Sequence, residues 1–147
     1  MLTGTFISLY ERDLSKLEEE ITAYENAGDI WKVVPGINNS AGNLVLHCCG
    51  NLQHFIGAVL GNSGYVRNRD LEFSNKDVPV EELLQLIGNT RRVVLTTIAA
   101  LTQEDLEKEF PLVMFNTRMP TGEVLIYLIS HLNYHLGQVN YHRRILG

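Results

Sequence analysis

The chain has 147 residues, 45% hydrophobic and 20% charged, a composition that folds and a length suited to one domain. Twelve basic against seventeen acidic residues give a net charge of −5, which argues against the clustered cationic surface that nucleic-acid binding requires. No stretch approaches the roughly 20 apolar residues of a membrane-spanning helix, and Met1 to Glu11 lack the basic start and apolar run of a secretory signal.

Phe6, Leu9, Tyr10, Leu14, Leu17, Ile21 and Tyr24 recur three and four apart, predicting a first amphipathic helix over residues 3–27 that stops near Gly28. Asp29 to Asn39, with Pro35 and Gly36, reads as a loop. Ser40 is placed to cap a second helix running to about Gly61, with Leu44, Cys48, Leu52, Phe55 and Val59 on its apolar stripe. Asn62 to Val78 carries turn residues and charges but no helical stripe. A third helix starts near Pro79, whose missing amide proton suits a first turn, and runs to about Leu101. Thr102 to Lys108 reads as one or two further turns capped by Thr102. Pro111 and Pro120 bracket another loop. Thr121 then caps a fourth helix, with Glu123 in its positive first turn and Leu125, Leu128, Ile129, Leu132, Leu136, Val139 and Leu146 facing inward.

Four long amphipathic helices predict an all-α four-helix bundle in a single domain spanning 1–147. Its topology is set by the segment 62–78. Seventeen residues reach roughly 56 Å at about 3.3 Å each, against roughly 33 Å for a 22-residue helix. The chain can therefore return along the bundle, so an up-down-down-up arrangement is expected, with a long crossover between the second and third helices.

The five histidines carry the chemical information. His131 and His135, four apart, share one face of the fourth helix at the border of its apolar stripe, a spacing that lets two imidazoles converge on a cation. His47 holds a matching border position on the second helix. Three neutral imidazoles from two helices would bind Zn²⁺, Ni²⁺ or Fe²⁺ and leave a coordination position open, as a site for chemistry does. Alone, however, the paired histidines read more readily as surface residues at helical spacing; His47 on a second helix border brings the two readings level. His54 and His142 lie seven residues from these positions, roughly 10.5 Å along their helices. They are expected to be partly buried and hydrogen-bonded, with substrate contact the alternative for His54. Cys48 falls on the core stripe, Cys49 points elsewhere, and two adjacent cysteines make a poor crosslink, so a reduced, cytoplasmic protein is expected.

His131-Leu132-Asn133-Tyr134-His135-Leu136-Gly137-Gln138, with His47 on an earlier helix, resembles the DinB/YfiT-like superfamily over essentially the whole chain. The segment from Tyr65 to Phe73 resembles a branch of it described as a domain of unknown function. The resemblance implies an up-down-down-up bundle and a divalent metal, most often zinc or nickel, on residues matching His47, His131 and His135. It also implies frequent homodimers, and characterised relatives that transfer or isomerise using low-molecular-weight thiols.

Three functional classes follow. A metal-dependent transferase would use a small thiol on a small electrophilic molecule, the divalent charge favouring thiolate over thiol. Asn51, Tyr134 and Gln138 are candidates to orient the substrate, unless Tyr134 faces solvent. Arg67 and Arg69 are candidates to hold a carboxylate of the thiol, unless they pair with Asp70 and Glu72 to order the long loop. A hydrolase would use the same site to ionise water, but no carboxylate lies on the histidine face of the fourth helix. A non-enzymatic, metal-stabilised dimer or binding module would use Gly50 and Gly57 for close helix approach, unless these pack within the monomer.

Overall fold

A computed structural model describes residues 2–146, which form six α-helices and no strands beyond two isolated bridges. Helix α1 spans Leu2–Thr22, and a short 3₁₀ turn spans Ala27–Trp31. Helix α2, Ala41–Leu52, continues directly into a π-helical segment, Gln53–Leu60. Helix α3 spans Arg69–Ser74, α4 Val80–Ala99, α5 Gln103–Glu107 and α6 Thr121–Leu146.

The inward stripes account for the long helices. Tyr10, Leu14, Leu17 and Ile21 of α1 are at most 1% exposed, as are Leu83, Ile87, Val94 and Ile98 of α4. Each such burial stabilises by roughly 1.5–3 kcal/mol. The buried side chains form two clusters. One joins Phe6, Tyr10 and Leu14 to Cys48, Leu52, Ile98, Leu125 and Leu132. The other joins Leu17 and Ile21 to Leu44, Cys49, Leu83, Leu136 and Val139. Helix α6 crosses from the first to the second between Leu132 and Leu136, the same turn that carries His135.

Polar contacts onto buried acceptors tie the helices in register. The Tyr10 hydroxyl donates to the Leu125 carbonyl at 2.7 Å, Asn133 donates to Asp13 at 3.1 Å, and Asn140 and Arg143 donate to Glu20 at 2.7 and 2.6 Å. Between the π-helical segment and α4, the Gln53 amide meets Thr90 at 3.3 Å. A Cβ on Gly57 would stand 3.0 Å from Val93, and one on Gly61 would stand 2.7 Å from Thr97.

Three elements differ from the sequence expectation. Helix α1 ends at Thr22, because Asn26 caps the next turn by accepting from the Gly28 amide at 3.0 Å. The second helix starts after Ser40, whose hydroxyl accepts from the Asn43 amide at 3.1 Å, but its last two turns are π-helical. The crossover contains a helix, α3. Asn68 caps it, accepting from the Leu71 amide at 3.3 Å, and Asp70 and Glu72 fill its positive first turn. Of the other expected helix starts, two hold and the Thr121 cap does not: Pro79 immediately precedes α4, and Thr102 and Asp105 form a reciprocal capping box on α5. Thr121 is the first residue of α6 itself.

Candidate metal centre

His47 of α2 faces His131 and His135 of α6. The His131 Nε2 lies 3.1 Å from the His47 Nε2 and 3.1 Å from the His135 Nε2, and one ligand atom from each ring lies within 4.8 Å of the other two. The helical repeat supplies the pairing on α6, since residues four apart stack on one face.

Two of the rings are fixed by their other nitrogen. The His47 Nδ1–H donates to Glu72 Oε1 at 3.0 Å, and the His135 Nδ1–H donates to Gln138 Oε1 at 2.7 Å. In neutral rings both bonds leave a bare lone pair on Nε2, aimed at His131. A proton on His131 Nε2 could serve one of those lone pairs at a time, whereas a cation serves all three. Two metal–nitrogen bonds of about 2.0–2.1 Å each can bridge a 3.1 Å separation, so the residues present fit a divalent ion. The His131 Nδ1 is buried without a partner among the described residues.

Burial disfavours the charged form of His131 and of His47. Burial pulls His131 down to about 4, helped by the neighbouring His135 and His47 and then by Arg67 and Arg69. Burial also lowers His47, with the hydrogen bond and charge of Glu72 acting in the opposite direction. Neutral imidazoles are the form that binds metal.

Behind His47 stands a support that the residue pattern alone does not distinguish from the charges of a loop. Glu72 is 6% exposed, and Arg67 donates to both its oxygens, from Nε at 2.8 Å and from Nη2 at 2.9 Å. Gly50 makes the space: a Cβ there would stand 2.0 Å from Glu72 Oε2. Asn43 clamps the backbone of α3, donating to the carbonyls of Glu72 at 3.0 Å and Asn75 at 2.9 Å. Phe73 packs against the His47 ring at 4.9 Å between centroids.

Residues 9–147 match the family described as "Protein of unknown function (DUF1572)". The chain belongs to that family. No curated protein matches it.

The other candidates divide between two cavities flanking the histidines. Asn51, Arg67 and Arg69 line one, of about 400 Å³, together with His47 and His131. Tyr134 and Gln138 line the second, of about 540 Å³, with His135. Gln138 orients His135, and Tyr134 is 65% exposed with its ring edge near His135. Arg67 is engaged by Glu72, the loop-ordering role weighed for it in the sequence. Arg69 instead lies over the Phe73 ring, 5.3 Å from its centroid.

His142 is buried and hydrogen-bonded, as expected. Its Nε2–H donates to the Lys32 carbonyl at 2.8 Å, so its Nδ1 accepts from the Tyr24 hydroxyl at 2.6 Å. His54 is half-buried edge-on to Phe55, but no hydrogen bond joins its ring to another described residue. Cys49 does not turn out of the core: it is fully buried in the second cluster, as Cys48 is in the first. Burial pushes the Cys49 thiol up to about 12 and the Cys48 thiol well above its ordinary range, so neither is a ready nucleophile. Gly50 and Gly57 both face side chains of their own chain.

Proposed function

We propose that this chain is a divalent-metal-dependent enzyme of the DinB/YfiT-like superfamily that transfers a low-molecular-weight thiol to a small electrophilic substrate. The observation that carries the reading is the convergence of three imidazole Nε2 atoms at 3.1 Å steps, with two of the rings anchored through Nδ1. His47, His131 and His135 would hold zinc, nickel or ferrous iron. Such an ion, when bound, favours the ionised form of a thiol at neutral pH.

The chain's own residues do the rest. Glu72 holds the Nδ1 proton of His47 and so keeps Nε2 free to ligate; Gln138 does the same for His135. Arg67 locks the Glu72 carboxylate through two parallel hydrogen bonds, a geometry that resists rotation. Asn51 and Arg69 line the cavity beside His47 and His131, where a substrate would lie. Hydrolysis has less support, because the buried Glu72 carboxylate is held by Arg67 and faces the far nitrogen of His47. A glycine-mediated dimer has less still, since Gly50 and Gly57 are opposed within the chain by Glu72 and Val93.

The same reading takes α1, α2 with its π-helical extension, α4 and α6 as one up-down-down-up bundle. Its support is that contacts climb together along α1 and α6, and again along α2 and α4. A cytoplasmic homodimer completes it. The buried free thiols fit a reducing compartment, and light scattering on the purified protein tests the dimer.

Metal analysis of the purified protein should find about one divalent ion per chain, lost in His135→Ala. Turnover of an aryl halide that needs both the ion and an added thiol supports transfer. Protein that retains no metal, or that cleaves esters without thiol, overturns the reading.

A further inference from the structure

The 400 Å³ cavity beside His47 and His131 has an uneven lining. Among the described residues, no acidic side chain borders it. Of its two arginines, Arg67 is engaged by Glu72, while the exposed Arg69 takes no carboxylate partner among the described residues. A cation on a concave, partly apolar wall without a counter-charge favours an anion.

The part of the lining from Val113 to Phe115, with Leu128, is apolar and oddly built. Phe115 and Asn116 form a two-residue turn closed by reciprocal 2.9 Å hydrogen bonds between Met114 and Thr117. Both central residues are left-handed, with φ of 51° at Phe115 and 61° at Asn116. Such turns favour Asn and Gly, and a bulky aromatic there carries strain. Burial does not offset it, since Phe115 is 70% exposed. The turn instead holds the Phe115 ring at the cavity edge, 5.1 Å from the Tyr127 ring, itself 46% exposed. Apart from this solvent-exposed ring pair, no buried packing offsets the strain, which points to a functional contact.

We propose that this cavity binds a small organic anion with a flat, aromatic body, its acidic group on Arg69 and its body against Phe115 and Tyr127. The volume suits such a molecule, at the small end of ligand sites. The proposal rests on the reading above only in taking this anion as the electrophile; binding itself does not depend on the metal.

Calorimetric titration with 4-phenylbutyrate, 4-phenylbutylamine and butyrate separates charge from ring. The aromatic acid should bind at least about tenfold more tightly than either comparison compound. Arg69→Gln should cost the acid about tenfold and leave the amine unchanged. Phe115→Asn should weaken the acid by roughly three- to tenfold while keeping or raising the melting temperature, since asparagine accepts the left-handed turn. Equal binding of acid and amine, or unchanged acid affinity in both variants, overturns the proposal. So does a lowered melting temperature in Phe115→Asn, which would make Phe115 a packing residue. Titrations of chelator-washed protein keep the two readings apart. Acid binding with no metal ever retained defeats the metal reading alone, and a bound ion with no acid binding defeats this one alone.

Discussion

His47 and His135 reach the same point in space with unlike supports. His47 is buried, and its Nδ1 meets a buried carboxylate brought in by a separate helix, α3, and clamped by Arg67. The Nδ1 of His135 meets an exposed amide three residues along its own helix. The first support is long-range and desolvated; the second is local and open to water. Interactions in a buried setting are stronger, and their loss is more costly, than the same interactions in solvent. Stability and metal affinity should therefore depend far more on the His47 side.

Glu72→Ala is the most severe test of that asymmetry. It strips the orienting acceptor from His47 and leaves the largely buried Arg67 without its partner. Breaking a buried pair in this way costs about 3–5 kcal/mol, read as a lowered denaturation midpoint. Metal affinity should fall by about 10–100-fold. Glu72→Gln, which can still accept from His47 but no longer pairs with Arg67, should lose less of both. Metal binding unchanged in either variant would remove Glu72 from the centre. Gly50→Ala probes the same support from the other side, since its Cβ would stand 2.0 Å from the Glu72 carboxylate. Overpacking there should cost about 1–3 kcal/mol in chemical denaturation, with metal affinity falling alongside.

The same contrast explains what could be read from sequence. The four long helices are legible because their stripes repeat over several turns; the centre of each stripe is buried, while flanking positions such as Leu9, Phe55, Val59 and Leu146 are half-buried. His131 and His135 were visible because one helix sets their spacing, and His47 because it sits on a stripe border. Helix α3 left no such trace. Six residues make fewer than two turns, and what steadies them is Asn43, whose amide reaches the Glu72 and Asn75 carbonyls from 29 and 32 residues away. Glu72 therefore looked like a surface charge among arginines. The one local hint was Gly50, a helix-interior glycine whose missing side chain makes room for a partner that only the tertiary structure supplies. The end of α1 was missed for a smaller reason: Tyr24 continues the apolar spacing, but its hydroxyl serves His142 after the helix has stopped.

Acid should act on the metal-free protein through the buried rings. His131 titrates near 4 when folded but near its ordinary 6.5 when unfolded, chiefly because of burial. Between those values the unfolded chain binds more protons, so stability rises with pH there. It is fully present above about pH 6.5 and is lost as pH falls toward 4. Denaturation midpoints measured across that window should decline with acid, and His131→Gln should flatten the decline. A midpoint independent of pH in the metal-free protein would mean that the His131 ring is not desolvated.

Gln138→Ala should have the smallest effect. Its amide accepts one hydrogen bond at an exposed position, where water can take over the Nδ1–H of His135 without leaving a buried group unpaired. Stability should move by less than about 0.5 kcal/mol. Metal affinity should drop only a few-fold, at or below the lower end of the range for residues that orient a ligand. The informative quantity is the ratio to Glu72→Ala measured in one titration series. If Gln138→Ala costs as much affinity as Glu72→Ala, the local support matters as much as the buried one, and burial of Glu72 serves α3 rather than the histidines.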